Sequence, residues 1–305
     1  MKISQHGWNL KDDVPNLTNI RYADDMLLFA KTIDELIEML DALRQELHSI
    51  GLEMHGDKTK ILTNQLDNTF SMVDIGDGMF IKILAADKAH KYLGRMINLH
   101  ASCRTRVELN HRMQVAWGKF HEHRKWILDP KIPVGLRLRL FNAAVSPGAL
   151  YGCSVLALSS DELEKLDIIQ RKMLRRIVGW HRIPGEDWES TMHRMKMRVQ
   201  RALEMHTIQN WSRRTMGARW KYALHVNFSE KSSWTKVVCD WNPIEHPIQG
   251  FPACRPRGRP RVRWDDDLHF YCEEELGLEF WTDLRTFALR VLQNMESDFI
   301  AYCFE

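Results

Sequence analysis

Two adjacent carboxylates, Asp24 and Asp25, lie in the run Arg21-Tyr22-Ala23-Asp24-Asp25-Met26-Leu27-Leu28-Phe29-Ala30. Ile20 and Tyr22 lead into the pair, and Met26 to Ala30 follow it. β-favouring and large apolar residues on both sides of a short Asp-containing turn predict a β-hairpin with the pair at its tip. Like charges a few ångströms apart raise each other's pKa, so such a pair usually serves a cation. Mg²⁺ suits it, because that ion binds through one or two carboxylates together with substrate phosphates. The plainer alternative is a solvated turn that happens to hold two aspartates.

The elements that must position this hairpin come next. Thr32 and Glu35 have the spacing of a capping box. Ile33, Leu36, Ile37, Leu40, Leu43, Leu47 and Ile50 then recur at steps of three and four, which predicts an amphipathic helix. Gly51 stands where a left-handed cap is expected. Residues 52–63 read as two short strand pieces broken at Gly56-Asp57. Hairpin, helix and strand in this order make a compact α/β unit.

Tyr22-Ala23-Asp24-Asp25 resembles the Tyr-x-Asp-Asp motif of reverse transcriptases, the palm hairpin that carries metal-binding aspartates. Gly51-Leu52 followed by Lys58-Thr59 is similar to that family's segment near the incoming nucleotide, and His90-Lys91-Tyr92-Leu93-Gly94 to its primer-gripping hairpin. Leu150-Tyr151-Gly152-Cys153, the run Gln170-Arg171-Lys172-Met173-Leu174-Arg175-Arg176-Ile177 and the segment Arg257-Gly258-Arg259-Pro260 through Leu268 resemble the region after the polymerase in non-LTR retrotransposon polyproteins. The resemblance implies an α+β fold: a truncated polymerase palm of β-hairpin, helix and short strands, then a mostly α-helical thumb and C-terminal region. It assigns Asp24 and Asp25 to catalysis and metal binding. It puts Tyr22 and Ala23 under the primer end or incoming nucleotide, Lys58 near the triphosphate, and Leu93 and Gly94 in the primer grip. The implied cofactor is Mg²⁺, the partners are an RNA template and a DNA primer, and the reaction is nucleotidyl transfer.

The family also needs an earlier strand with a further aspartate and a nucleotide-positioning helix. Asp12 and Asp13, in Lys-Asp-Asp-Val-Pro, read as loop residues. The fingers and first half of the palm are therefore expected to be absent, and the chain to be inactive alone, since a two-metal site is clamped from several sides. The alternative is a non-catalytic nucleic-acid-binding protein using its basic helical region.

Charge locates that region. The net charge of +3 resolves into −4 over 1–100, +12 over 101–225 and −5 over 226–305. Arg171, Lys172, Arg175 and Arg176 lie on or near one face of a helix expected from the Ser159–Glu162 cap to Gly179. Trp117, Trp126, Trp180, Trp188, Trp211 and Trp220 interleave with the basic residues, as a stacking surface or as helix–helix contacts would require. Arg257 and Arg259 in Arg-Gly-Arg-Pro suit a basic arm on nucleic acid or a flexible basic loop.

The expected domains are a partial palm with primer-grip hairpin (1–100), a basic helical thumb and following helices (101–225), a Pro-rich basic linker (226–262) and a C-terminal helical segment (263–305). Within them, helices are expected over 104–127, 135–145, 191–225 and 279–300, a loop or hairpin over 65–80, and a helix start at Trp264-Asp265-Asp266-Asp267. A chain of 305 residues, 44% hydrophobic and 27% charged, can bury a sizeable core. No apolar run approaches the roughly 20 residues of a bilayer span, so no membrane is expected among its partners. Six dispersed cysteines and no N-terminal apolar segment suggest a reducing, intracellular setting, and the resemblance implies a nuclear one. Cys239, His246, Cys254 and Cys272 lack the close ligand pair of a structural zinc site, so no zinc is expected. Dinucleotide, Walker and hydrolase motifs are absent from the sequence.

Overall fold

The computed structural model describes residues 6–10, 14–63, 71–85, 87–99, 103–230, 233–240, 263–278 and 289–304. The fold is α+β, as expected, and divides into two units: Met1–Val107 with Ser229–Pro260, and Glu108–Phe228 with Arg261–Glu305. Asp12 and Asp13 lie outside the described residues.

In the first unit, strands β1 (Asn19–Tyr22) and β2 (Asp25–Leu28) pair antiparallel. Helix α1 (Ile33–Ser49) follows, with the Thr32 hydroxyl accepting from Glu35 N. Glu35 does not complete the expected box, because its carboxylate accepts instead from Gly7 N at 2.6 Å and Lys31 N at 2.7 Å. The helix ends as anticipated: Gly51 has φ 76°, its N–H donates to His48 O, and Leu52 N donates to Leu47 O. Met39, Leu40 and Leu43 are buried, whereas Ile50 is 70% exposed because the chain has already left the helix there.

Strand β3 (Lys60–Leu62) runs parallel to β5 (Phe80–Leu84), and β4 (Met72–Asp74) pairs antiparallel on the other side of β5. Leu40 of α1 shares a core with Ile61, Ile75, Ile81 and Ile83, and Leu28 of β2 packs against it. The earlier strand piece expected within 52–63 is not formed. Lys58 N and Thr59 N both bond back to His55 O, so this stretch turns instead of pairing. Of the loop or hairpin expected over 65–80, residues 71–80 supply β4 and a tight turn into β5, and 64–70 lie outside the described residues. Strands β6 (His90–Tyr92) and β7 (Arg95–Ile97) form a separate hairpin.

Helix α9 (Trp234–Asp240) contributes Val237 to a small core with Leu10 and Leu17. It lies inside the stretch expected as linker, where the prolines that would break a helix all come later in the sequence.

The second unit is helical. Helices α2 (Arg104–Glu122) and α3 (Arg124–Ile127) divide at His123 what the periodicity predicts as one helix. After α4 (Val134–Leu140), Phe141–Val145 is a π-helical turn leading into α5 (Ser146–Leu150). Pro147 has no N–H to donate, and the ladder widens just before it. Helix α6 (Ser160–Val178) carries the full capping box of Ser159 and Glu162. Helices α7 (Trp188–Met205) and α8 (Trp211–Phe228) replace the single helix expected over 191–225. Thr207 takes φ 53° and breaks the helix, while Ile208 beyond it returns to the core and preserves the apolar rhythm.

Helix α10 (Asp266–Leu276) begins at the expected aspartates. The expected final helix is described as α11 (Leu289–Asn294) and α12 (Glu296–Tyr302), with 279–288 outside the described residues. Phe120, Phe141, Leu166, Met173, Ile177, Met195, Trp211, Trp220, Leu268 and Phe299 share the core. Arg219, with no exposed surface, pairs with Asp267 and donates to Leu156 O at 2.7 Å.

Candidate functional site

The β1–β2 hairpin closes on the cross-strand pair Tyr22 and Asp25, so Ala23 and Asp24 are its two turn residues. Ala23 has φ 51°, the left-handed start that two-residue hairpins need, and its small side chain limits the strain. Asp24 and Asp25 are exposed, and Tyr22 is 66% exposed. Among the described residues neither carboxylate has a hydrogen-bond or ion-pair partner. Met26, Leu27 and Leu28 are half-buried and anchor the hairpin while its tip projects.

The second hairpin turns at Leu93 (φ 47°) and Gly94 (φ 79°), two consecutive left-handed residues as a type I′ turn requires. Tyr92 precedes this turn. Its hydroxyl oxygen is buried and has no hydrogen-bond partner among the described residues. Burial first, and the negative charge of Asp25 second, push its pKa above the ordinary tyrosine value. The field of the acidic tip therefore reaches the residue beside the Leu93-Gly94 turn. The primer-grip motif includes Tyr92 but assigns the role to Leu93 and Gly94; the signal that could have singled it out is its position directly before that turn.

The neighbouring β3 carries Lys60, whose charge, after burial, lowers the pKa of His90. Lys58 is exposed in the turn before β3, and its backbone N–H donates to His55 O at 3.1 Å. The Lys58 side chain forms no ion pair with Asp24 or Asp25, so the fold does not bring these predicted site residues together through a direct bond.

The oxygen-only chemistry of Asp24 and Asp25 suits a hard divalent cation, and among the described residues no internal cation pairs with them. The Tyr92 hydroxyl, which feels the charge of Asp25, is also unpartnered among the described residues. Two carboxylates on one tip still form only part of a donor set. Among the described residues no three His, Cys, Asp or Glu side chains converge where a metal ion could sit.

Along α6, Lys172 and Arg176 are exposed, and Arg171 and Arg175 are half-buried. Each pair is spaced i, i+4, so the four form two adjoining stripes. Arg175 Nε donates to Arg171 O at 3.3 Å, and the Arg176 guanidinium lies 5.0 Å from the centre of the Trp117 ring. Arg176 also borders a cleft of about 490 Å³ with Phe120, His121, Arg124, Lys125 and Asp129. Trp211 and Trp220 are fully buried, as helix contacts, whereas Trp126, Trp180 and Trp188 are exposed by 54%, 41% and 63%. Arg257 and Arg259 lie outside the described residues.

No helix among the described residues is long and apolar enough to cross a membrane. Residues 3–97 match the family model described as reverse transcriptase (RNA-dependent DNA polymerase). The chain is 30% identical over 256 residues to a transposon-derived protein of Caenorhabditis elegans, covering 83% of this chain and 84% of that protein. No solved structure matches the chain.

Proposed function

We propose a function on one premise: the chain belongs to the reverse-transcriptase family of retrotransposons. The reading is that it derives from a non-LTR element and carries the acidic hairpin of an RNA-directed DNA polymerase palm. The observation that supports it is the uncompensated pair Asp24 and Asp25 at the tip of a hairpin lying inside the matched segment.

In this reading Asp24 and Asp25 would hold Mg²⁺. That ion, when bound, promotes attack by a primer 3′-hydroxyl on a nucleotide α-phosphate and relieves charge on the departing pyrophosphate. Tyr22 and Ala23 lie under the primer end. Leu93 and Gly94 border it, and Lys58 reaches the triphosphate. The Tyr92 hydroxyl keeps its proton at neutral pH and is a donor. Arg171, Lys172, Arg175 and Arg176, with Arg257 and Arg259, hold the phosphate backbone of an RNA template paired with a DNA primer. Work on primer DNA implies a nuclear setting.

Phosphoryl transfer requires the reacting phosphate to be clamped from several sides, and two carboxylates on one tip supply one side. The chain alone is therefore a template–primer binder that does not extend. The test is incubation of the purified chain with a primed RNA template, Mg²⁺ and nucleotides, beside Asp24→Ala. The expected result is no extension above that control, with binding whose logarithm falls steeply with log salt. Reversing charge at Arg171, Lys172, Arg175 and Arg176 flattens that slope by about one for each phosphate no longer neutralised. Mg²⁺-dependent extension that Asp24→Ala abolishes would overturn the incomplete-site reading. Absence of any binding would overturn the nucleic-acid reading.

A further inference from the structure

Trp180 and Trp188 flank the loop that joins α6 to α7. Their ring centroids lie 5.9 Å apart at 54°, and the two residues are 41% and 63% exposed. Within the same unit Trp211 and Trp220 are fully buried, so these two exposed rings contribute little to the core.

The loop beneath them is firmly held. The Arg194 guanidinium grips the Glu186 carboxylate through Nε at 2.9 Å and Nη2 at 2.7 Å. The same Nη2 donates to His181 O at 2.8 Å. Thr191 Oγ1 donates to Glu186 at 2.7 Å. Arg182 returns to the Glu186 carbonyl with Nε at 3.0 Å and Nη2 at 2.9 Å. Asp187 caps α7, accepting from Ser190 N at 2.9 Å and Ser190 Oγ at 2.7 Å. Gly179 at φ 85° and Gly185 at φ 82° make the two bends. Two solvent-facing rings on a pre-ordered loop can bind without first giving up loop entropy.

The surrounding charge selects the occupant. Residues 171–201 carry nine Lys and Arg against three acidic residues. Of those three, Glu186 and Asp187 are engaged inside the loop. The Arg198 guanidinium lies 3.3 Å from His181 Nδ1, at the same loop. An apolar peptide would leave these cations unanswered. A polyanion with flat aromatic faces answers both features.

We propose that Trp180 and Trp188, with Arg182 and Arg198 beside them, form a stacking site for an unpaired base of a single-stranded nucleic acid. The site rests on the nucleic-acid reading above, but it does not depend on catalysis. Every base has a π-face, so the site is tolerant of sequence, and the cations meet the flanking phosphates.

The test is binding of the full chain to fluorescein-labelled single strands of about 12 nucleotides, the scale of one binding groove. One probe is RNA, one is DNA, and one is the DNA with abasic positions at its centre. Trp188→Ala and Trp180→Ala should each weaken binding of the intact probes roughly 5- to 150-fold, the span of one missing stack. They should barely change binding of the abasic probe, and Trp188→Phe should restore most of the affinity. A preference between RNA and DNA tells which strand the site meets. Wild-type affinity in both alanine variants, or equal losses on intact and abasic probes, would overturn the stacking site while leaving general nucleic-acid binding intact. A wild-type chain that binds no probe would overturn both readings. Unchanged thermal melting of the variants separates a missing stack from misfolding.

Discussion

The buried hydroxyl of Tyr92, unpartnered among the described residues, lies within the field of Asp25, so the turn-flanking tyrosine of one hairpin senses the acidic tip of the other. Burial and that charge both disfavour the phenolate, and the group stays a donor at neutral pH. Tyr92→Phe removes a desolvated hydroxyl that has no partner among the described residues. Folding stability should be unchanged or rise by up to about 1 kcal/mol, because no hydrogen bond is removed. Urea unfolding measures this. A clear loss of stability would show the hydroxyl to be satisfied after all. A drop in template–primer affinity without a stability change would mark the hydroxyl as a contact to nucleic acid.

Helix α8 receives its N-terminal cap from another helix. Asp167 of α6 accepts from Ser212 N at 2.9 Å and Ser212 Oγ at 2.6 Å, and Gln170 Oε1 accepts from Trp211 N at 2.9 Å. These buried donors have no water to turn to. Asp167→Ala should cost about 1–3 kcal/mol, and Asp167→Asn, which keeps one acceptor, should cost less. Chemical denaturation gives the size, and faster amide exchange at 211–212 in Asp167→Ala would locate the effect.

The Glu186 carboxyl is held down to about 2, first by the hydrogen bonds from Arg194 and then by Thr191. A lowered folded-state pKa contributes stability above the ordinary value of 4.5 and loses it as pH falls towards 2. The stacking loop should therefore stay ordered at neutral pH and loosen in acid. Glu186→Gln should melt at a lower temperature than the wild type at pH 7, and this difference should close as pH falls through that window. A gap independent of pH would rule out the carboxylate as its source.

At the alkaline end the second unit should lose stability. Burial raises the Tyr271 hydroxyl and the Cys272 and Cys303 thiols to about 12, and the hydrogen bond to Glu274 does the same for Tyr302. Raised folded-state values contribute stability below the ordinary values of 9.0 for the thiols and 10.0 for the phenols, and that stability is lost as pH climbs towards 12. Melting temperature should hold level to about pH 9 and then decline. The buried Cys272 thiol should resist iodoacetamide near pH 8 in the folded chain and react after unfolding. Ready alkylation of folded Cys272 would contradict this.

Much of this architecture is legible one residue at a time. The β1–β2 hairpin, the α1 stripe, the Gly51 cap and the Ser159–Glu162 box all follow from neighbours within a few positions, where local sterics and period decide. The departures have separate physical causes. Periodicity runs through Thr207 because Ile208 regains the core face after the break. It runs through 141–145 because a widened turn keeps Phe141 and Val145 inside. The strand expected before Gly56 does not form because His55 O is claimed by a local turn.

By itself, the sequence determined that two carboxylates stand at a hairpin tip, where α1 begins and ends, and which stretch is basic, because these depend on short-range geometry and composition. Only the tertiary structure decided that Tyr92 shares a field with Asp25, that Asp167 caps a helix 45 positions away, and that Trp211 and Trp220 are buried while Trp180 and Trp188 face water. Burial and electrostatics are properties of what surrounds a residue in space. Residue type alone cannot tell a tryptophan that fills a core from one that offers its face to a ligand.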